Sequence, residues 1–157
     1  MRQSSLPFSG NVDPSWRIAL IHSSFYPEDV GRLVAGARES LIAAGIPSRN
    51  IAEYPVPGSF EIPLLGSVLA REKKANALIG LGIIVEGETH HAALIARETA
   101  RGIMDVHVTY GIPFAFEVLY VKTLSQATVR STGALNRGAE AALAVLHSLA
   151  QIAKVRS

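Results

Sequence analysis

The chain lacks cysteine altogether and carries no marked excess of charge of one sign. Without a thiol among its 157 residues, disulfides, zinc–thiolate centres and cysteine nucleophiles are excluded. The 15 Lys and Arg residues against 13 Asp and Glu residues give a formal net charge of only +2, and no basic stripe with interleaved aromatic residues occurs. We therefore do not expect nucleic acid as a partner.

Long hydrophobic runs and a secretory leader are also missing. The most apolar stretch, residues 77–85, has about half of the length that a membrane-spanning helix needs. Residues 1–16 contain no apolar segment of the kind found in signal peptides. These absences predict a soluble cytoplasmic protein that has no membrane partner.

The composition that remains is typical of a globular protein, with 48% hydrophobic and 18% charged residues. Residues 1–15 are rich in Ser, Pro, Gly and Asn and show no periodicity, so we predict a flexible or extended N-terminal arm. Regular patterning starts at residue 16 and continues without a second-domain boundary. Because this length suits one core, we predict a single domain over residues 16–157.

Short apolar runs alternate along the chain with segments whose apolar residues recur at helical spacing. The predicted strands cover residues 18–21, 51–56, 77–85 and 113–119, and the predicted helices cover residues 30–41, 59–73, 88–108, 123–130 and 136–155. Alternating strands and helices imply parallel strands joined by right-handed crossovers. The fold class is therefore α/β, a flavodoxin-like three-layer αβα sandwich with a four-stranded parallel sheet.

Ligands of such sheets lie at the carboxyl ends of the strands, which directs attention to the first two loops. Phe25 and Tyr26 follow the first strand and could stack on a planar heterocycle, although packing against a neighbouring loop is the more common role of such aromatics. After the second strand, Gly58 permits a tight turn, Ser59 suits a helix N-cap and Glu61 suits a first turn. These residues either only cap a helix or also bind a polyol or ring edge.

The loop after the third strand has the pattern of an anion site. Gly87 follows the strand, and the predicted helix starts at Glu88 with Thr89 in its first turn, where free backbone N–H groups and the helix dipole attract anions. In the same turn, the dipole favours a neutral imidazole at His91 that could accept a proton, although a solvated surface residue is the plain alternative. Because His90 and His91 are adjacent rather than four residues apart, we expect no metal site.

The last candidates lie from the fourth strand onward. Phe116 could contribute an aromatic surface, and Arg130 and Arg137 are cations that could bind a phosphate, although surface arginines are more often simply solvated. Together, the candidates from all four strands predict a phosphorylated small substrate and proton-transfer chemistry at one edge of the sheet.

Several motifs within residues 16–149 resemble those of the lumazine synthase family and occur in the same order as in that family. The most specific are the segment Val-Pro-Gly-Ser-Phe-Glu-Ile-Pro at residues 56–63 and Gly-Glu-Thr-x-His at residues 87–91. The remaining matches are Pro113, Phe116, Gln126, Ala127, Arg130, Asn136, Arg137, Gly138 and Glu140.

The resemblance implies an activity and a role for each candidate residue. The family condenses 5-amino-6-(D-ribitylamino)uracil with 3,4-dihydroxy-2-butanone 4-phosphate to 6,7-dimethyl-8-ribityllumazine, phosphate and water, the penultimate step of riboflavin biosynthesis, without metal or organic cofactor. Proton transfer is implied for His91. The residues implied for the pyrimidine and its ribityl chain are Phe25, Ser59, Phe60, Glu61, Ile83, Ile84, Val85 and Phe116. Those implied for the phosphate are Glu88, Thr89 and Arg130, with Arg137 and Glu140 as accessory positions.

The resemblance also implies a homo-oligomer. Family sites lie between the subunits of a pentamer, so Phe116 is expected from an adjacent subunit, the N-terminal arm is expected on a neighbour's sheet edge, and riboflavin synthase is a further expected partner. The linker at residues 131–135 is one residue shorter than the common version. Pentamer, decamer and sixty-subunit shell therefore remain open.

Some positions depart from the family pattern and motivate two other hypotheses. The departures are Ser24, Glu86, Ala92, Ala93, Glu117 and Ser125. They leave open a catalytically weak paralogue that binds lumazine or flavin, or that forms a shell. A generic flavodoxin-like phosphate or nucleotide binder would explain the topology but not the full set of motifs.

Overall fold

The computed structural model describes residues 7–157, so the part of the predicted arm at residues 1–6 lies outside the described residues. The described strands and helices alternate in the predicted order and within a few residues of the predicted bounds. They are β1 (Ile18–Ser23), α1 (Pro27–Ala44), β2 (Ile51–Val56), α2 (Ile62–Arg71), β3 (Ala77–Val85), α3 (His91–Tyr110), β4 (Phe114–Val121), α4 (Leu124–Arg130) and α5 (Arg137–Arg156). Single 3-10 turns occupy Ser48–Asn50, Ser59–Glu61 and Gly133–Leu135.

The four strands form one parallel sheet in the order β2-β1-β3-β4. The two central strands, β1 and β3, are buried on both faces over most of their length, which explains why their sequences are continuously apolar. The edge strands β2 and β4 have exposed positions instead. The prediction of a four-stranded parallel α/β sheet is therefore confirmed.

Helices cover both faces of this sheet. Ile18 and Leu20 belong to the core beneath α1 and α5, whereas Ala19 and Ile21 belong to the core beneath α2 and α3. Alternate residues of one strand thus serve opposite layers, as the period of a strand requires. The result is the predicted three-layer αβα sandwich.

Two glycines show how closely the helices are fitted. Gly45 ends α1 with φ +113°, a left-handed conformation that L side chains rarely adopt, which is why the helix stops where the sequence predicted. At Gly138 a side chain would overlap the carbonyl oxygen of Leu33, so α1 and α5 pack backbone against backbone at that point. Their contact fixes the start of α5 relative to α1.

The described part of the arm, residues 7–15, has no regular secondary structure but contacts its own chain. Phe8 packs edge-on against His147 of α5 with ring centroids 5.1 Å apart, and Val12 packs against the core. Asn50 Nδ2 donates a hydrogen bond of 2.9 Å to the carbonyl oxygen of Pro14. None of the helices in residues 7–157 combines the length and the apolar character that crossing a membrane requires.

Candidate active site

A cavity of about 430 Å³ opens at the carboxyl ends of β1, β2 and β3, a size within the usual range for small-molecule sites. The structure brings eight of the predicted site residues together around it: Phe25, Ser59, Phe60, Glu61, Ile83, Ile84, Val85 and His91. Tyr26, Ala92 and Ile95 complete its walls, together with the backbone of residues 57–58. The other predicted site residues do not line this cavity.

The loop after β1 presents an aromatic ring to this cavity. Tyr26 adopts a left-handed backbone conformation (φ 53°, ψ 59°) and is the N-cap of α1, so the chain turns sharply between the strand and the helix. Such a conformation costs a non-glycine residue about 1–3 kcal/mol and is concentrated at functional sites. Ser24 holds the loop in place because its Oγ donates a 2.7 Å hydrogen bond to the carbonyl oxygen of Val56. Phe25 remains 63% exposed at the cavity.

The loop after β2 differs from its predicted geometry in two respects. Gly58 has an extended backbone (φ −146°, ψ 177°), so the idea that it makes a tight turn is wrong. Its lack of a side chain serves a close approach instead, because a Cβ there would lie 3.4 Å from the Phe25 ring and 3.3 Å from Glu61 Oε2. Ser59 is not a helix N-cap, since residues 59–61 form a 3-10 turn and α2 begins only at Ile62.

Glu61 has the first of the two roles that the sequence left open and is placed for the second. Its Oε2 accepts a 2.9 Å hydrogen bond from the backbone N–H of Gly58, which closes the 3-10 turn. The residue also lines the cavity and is only partly buried. Because an ionised carboxylate offers about four lone-pair sites, Oε1 remains available to a hydroxyl donor in the cavity.

Small residues lie beneath the cavity at the ends of β1 and β3. A Cβ on Gly82 would overlap Ser59 Oγ and would lie 3.3 Å from Ser23 Oγ, so both hydroxyls crowd the glycine. Ser23 and Ser59 are both buried, and Ser23 Oγ has no hydrogen-bond partner among the described residues. This layer was not predicted from the sequence, although glycine at alternate positions of β3 is a signal for close approach in a strand.

The end of β3 offers free backbone groups to the cavity. The pairing of β3 with β1 ends at His22 opposite Leu81, whereas its pairing with β4 continues to Val85 opposite Val121. Residues 82–85 therefore have no ladder partner on the β1 side, where the cavity lies. Their N–H and C=O groups on that side can bind the edge of a ring.

Helix α3 begins at His91, three residues later than predicted. Glu88 and Thr89 lie in an exposed bend before the helix, so the prediction that they belong to its first turn is wrong. Thr89 Oγ1 accepts a 3.3 Å hydrogen bond from the backbone N–H of His91. This local bond, from a side chain to the backbone two residues later, stabilises the bend directly before the helix. His91 itself is exposed and lines the cavity from the first residue of the helix.

Three of the remaining candidates, Phe116, Arg130 and Arg137, line a second cavity of about 310 Å³ along β4, at one edge of the sheet. Glu88, Thr89 and Glu140 line neither cavity. Phe116 is the third residue of β4 rather than a residue at its carboxyl end, so the prediction that all candidates share one end of the sheet is wrong. Arg130 ends α4, and its Nη1 donates a 2.8 Å hydrogen bond to the carbonyl oxygen of Gln126.

The other arginine of the second cavity is held by two carboxylates. Arg137 Nε lies 3.2 Å from Glu117 Oε2, and its Nη1 lies 2.9 Å from Glu140 Oε2. Arg137 and Glu140 are thus partners of each other at the start of α5. The arginine is engaged in ion pairs and is not simply solvated.

The two cavities differ in the charged side chains that line them. The described residues around the first cavity include one carboxylate and one imidazole but neither lysine nor arginine, whereas the second cavity carries the two guanidinium groups of Arg130 and Arg137. Within one chain, the aromatic and carboxylate half of the predicted site is therefore separate from its cationic half. Among residues 7–157, no group of three or more His, Asp or Glu side chains is arranged to hold a metal ion.

Comparison with known proteins identifies the family. Residues 15–153 match the family model described as 6,7-dimethyl-8-ribityllumazine synthase. A protein of that name from Ruthia magnifica subsp. Calyptogena magnifica is 37% identical over 139 residues, which cover 85% of this chain and 83% of the relative. A second, from Halorhodospira halophila (strain DSM 244 / SL1), is 39% identical over 131 residues, which cover 83% of this chain and 84% of the relative. The resemblance found in the sequence is thereby confirmed, and the chain belongs to the 6,7-dimethyl-8-ribityllumazine synthase family.

Proposed function

We propose that the protein condenses 5-amino-6-(D-ribitylamino)uracil with 3,4-dihydroxy-2-butanone 4-phosphate to form 6,7-dimethyl-8-ribityllumazine, as a transferase of riboflavin biosynthesis. The observation that carries this proposal is the first cavity, where Phe25, Glu61 and His91 meet beside the unpaired end of β3. The family membership of the chain supports the identity of the substrates. The proposal includes a cytoplasmic location and riboflavin synthase as the enzyme that receives the product.

The reaction needs positioning and proton transfer rather than redox chemistry. The 5-amino group attacks the ketone carbon, and loss of water leaves an imine. Removal of the proton from C3 and departure of phosphate from C4 give an enol, which becomes a ketone at C3 by tautomerisation. The ribitylamino nitrogen then attacks that ketone, and loss of a second water closes the ring. Each step moves a proton, which a positioned imidazole can accelerate by about 10²–10⁴-fold.

The first cavity provides for the pyrimidine and its side chain. The exposed ring of Phe25 supplies a flat surface on which the pyrimidine stacks. The unpaired backbone groups of residues 82–85 bind the polar edge of the ring, and Ile83, Ile84 and Val85 surround it. The ribityl hydroxyls face Glu61, whose Oε1 is the free acceptor, with Ser59 and Phe60 beside it.

The phosphate requires a cation that the first cavity of one chain does not supply. Thr89 and Glu88, in the bend before α3, hold the phosphate from one side through their backbone and hydroxyl groups. Arg130 supplies the cation and Phe116 covers the ring, both from the β4 edge of an adjacent subunit. We therefore propose a pentamer-based homo-oligomer whose sites lie between subunits.

His91 is the residue proposed to transfer the proton. It lies at the first residue of α3, beside the bend in which the departing phosphate is held, so its imidazole can reach the carbon next to the leaving group. Arg137 lines the second cavity together with Arg130, and Glu140 holds Arg137 in an ion pair, so these two act as accessory residues.

Turnover of the two substrates, followed by lumazine fluorescence above the uncatalysed background, tests the activity. We expect His91→Ala to lower kcat by about 10²-fold with little change in either KM, because only proton transfer is removed. We expect Arg130→Ala to raise KM mainly for the butanone phosphate. Arg156→Ala, which removes an exposed cation at the end of α5, is the matched control and should not change either constant. Absence of product with wild-type protein would reject the proposed activity, and retained lumazine binding would then indicate a binding protein.

Mixed oligomers test whether two subunits share each site. His91→Ala and Arg130→Ala chains, co-assembled in equal amounts, should recover about a quarter of wild-type turnover, because a quarter of the interfaces then combine an intact His91 with an intact Arg130. The separate variants mixed without reassembly are the control. If recovery does not exceed the activity of the two variants, both residues serve the same chain's site and the shared-site proposal is wrong.

A further inference from the structure

A buried carboxylate lies outside the lining of both cavities. Asp29 is in the first turn of α1, and its side chain is only 8% exposed. Its Oδ1 pairs with Arg32 Nη2 and accepts a hydrogen bond of 3.2 Å from Ser131 Oγ. Ser131, 1% exposed, also lies 3.3 Å from Arg32 Nε. Ser131 is the residue that directly follows Arg130.

Asn136 ties the other end of the same segment to α1. Its Nδ2 donates hydrogen bonds of 2.9 Å to the carbonyl oxygens of both Arg32 and Ser131, and its Oδ1 accepts one of 3.2 Å from the backbone N–H of Ala139. A side chain at Gly36 would overlap Asn136, so α1 is shaped to receive this amide. Both ends of residues 131–136 are thus bound to the first two and a half turns of α1.

Helix α4 has little else to fix it. It spans only seven residues, and Ala127 is its one buried residue. A helix of this length is not stable by itself and depends on tertiary contacts. The polar network of Asp29, Arg32, Ser131 and Asn136, which we name the Asp29 network, therefore sets where α4 ends.

We propose that Asp29 is a positioning residue for the phosphate subsite: through Ser131 it holds Arg130 at a fixed place relative to α1. Helix α1 starts directly after Phe25 and Tyr26, which line the first cavity. One rigid helix thus carries a wall of the first cavity at its start and anchors the cation of the second cavity through its first turns. This inference rests on the proposed function, in which Arg130 binds the phosphate group.

The charge of Asp29 is essential to this role. A buried carboxylate is held by its partners, and the removal of its charge leaves the guanidinium of Arg32 without its buried counter-ion. Asp29→Asn keeps the shape and an oxygen that can accept from Ser131, but it removes the negative charge that pairs with Arg32 and puts an NH2 group in place of Oδ2. Because a displacement of about 1 Å at a positioning group can cost up to about 10²-fold, we expect about a tenfold loss of phosphate affinity.

Binding and kinetics of the assembled protein test the proposal. Inorganic phosphate is titrated calorimetrically into wild type, Asp29→Asn, Ser131→Ala and Glu53→Gln. The last is the matched control, because Glu53 is the counter-ion of another α1 arginine, Arg38, at 2.8 Å and lies outside both cavities. We expect weaker phosphate binding and a raised KM for the butanone phosphate in the first two variants, with the KM for the pyrimidine and the oligomer unchanged.

The outcomes separate this inference from the proposed function. Unchanged phosphate affinity in both Asp29→Asn and Ser131→Ala would overturn the inference, as would an equal rise in both KM values or wild-type protein that binds no phosphate. Phosphate binding that depends on Asp29 in a protein without turnover would uphold the inference and reject the proposed activity. If Asp29→Asn does not assemble, Ser131→Ala, which keeps the buried ion pair, decides the result.

Discussion

Gly82→Ala is the substitution that the structure predicts to be most selective for the first cavity. The added Cβ would lie closer to Ser59 Oγ than the 3.0 Å that real Cβ atoms keep, whereas ordinary contact begins at 3.4 Å. The hydroxyl must therefore move by more than about 0.4 Å, and the buried position of Ser59 leaves it little room to rotate. The turn that carries Ser59 also carries Phe60 and Glu61, so the displacement reaches the wall of the cavity that is proposed to hold the ribityl chain.

The expected magnitude can be worked out from these distances. Because a misplacement of about 1 Å costs up to about 10²-fold, a displacement of half that size should raise the KM for the pyrimidine by about tenfold. Crowding of a buried site should also lower the free energy of unfolding by about 1–3 kcal/mol. The KM for the butanone phosphate should change little, because Gly82 contacts Ser59 of the first cavity, whereas Arg130 lines the second.

A double-mutant cycle shows whether Ser59 is the cause. When Ser59→Ala removes the hydroxyl, the nearest remaining atom to a Cβ at position 82 is Ser23 Oγ at 3.3 Å, which a slight shift accommodates. Gly82→Ala should therefore change KM and stability little in the Ser59→Ala background. The effects of the two substitutions should then be far from additive. Gly80→Ala crowds Ile62 on the same face and is a control that should lower stability without changing KM. Equal effects of Gly82→Ala in both backgrounds would refute the reasoning.

Two further predictions concern stability and charge away from the cavity. Gly138→Ala should lower the free energy of unfolding by about 2–4 kcal/mol, because its Cβ overlaps the carbonyl oxygen of Leu33. Gly31→Ala, in open space within α1, should raise it by about 0.5–1 kcal/mol. Chemical denaturation at equal subunit concentration compares the two variants, and a change of the same sign in both would contradict this packing. The hydrogen bond and the charge of Arg101 hold the pKa of the Glu98 carboxyl below its ordinary value, so Arg101→Ala should return that pKa upward in an NMR titration. The contribution of this pair to stability is present at neutral pH and is lost as the pH falls through the lowered pKa of Glu98.

The sequence predicted the fold because the signals that define it are local and repeated. Each buried strand has a continuous apolar run, and each helix has its own periodicity and a stop such as Gly45. Parallel topology is then a consequence of the alternation. Two helices begin three residues later than predicted, at Ile62 and His91, because the 3-10 turn closed by Glu61 and the bend at Thr89 depend on hydrogen bonds that residue type alone does not specify.

The candidate site could be predicted only in part, and the division has a physical cause. Phe25, Ser59–Glu61 and His91, which follow β1, β2 and β3, were expected at one cavity, and the structure brings them there because strand order fixes their position. Glu88 and Thr89 also follow β3 but lie in the bend outside this cavity. Phe116 and Arg130 were expected at the same edge, whereas in the structure they line the second cavity. The position of a residue in the sequence does not show which face of an edge strand it occupies, so this difference could not be predicted. The role of Gly82 was missed because it arises from contact with Ser59, a residue of another strand's loop.

The separation of the two half-sites gives the short α4–α5 linker a significance that its sequence does not suggest. Arg130 lies at the end of a seven-residue helix with one buried side chain, so its position depends on the linker attached to it. Residues 131–136 are bound to α1 at both ends by Ser131 and Asn136, and α1 in turn begins at the wall of the first cavity. If adjacent subunits complete each site, a shift of α1 in one subunit changes the ring surface of its own site and the phosphate cation of the next. Under the proposed shared site, geometry within the chain would be transmitted from site to site around the oligomer, and it would pass through the Asp29 network.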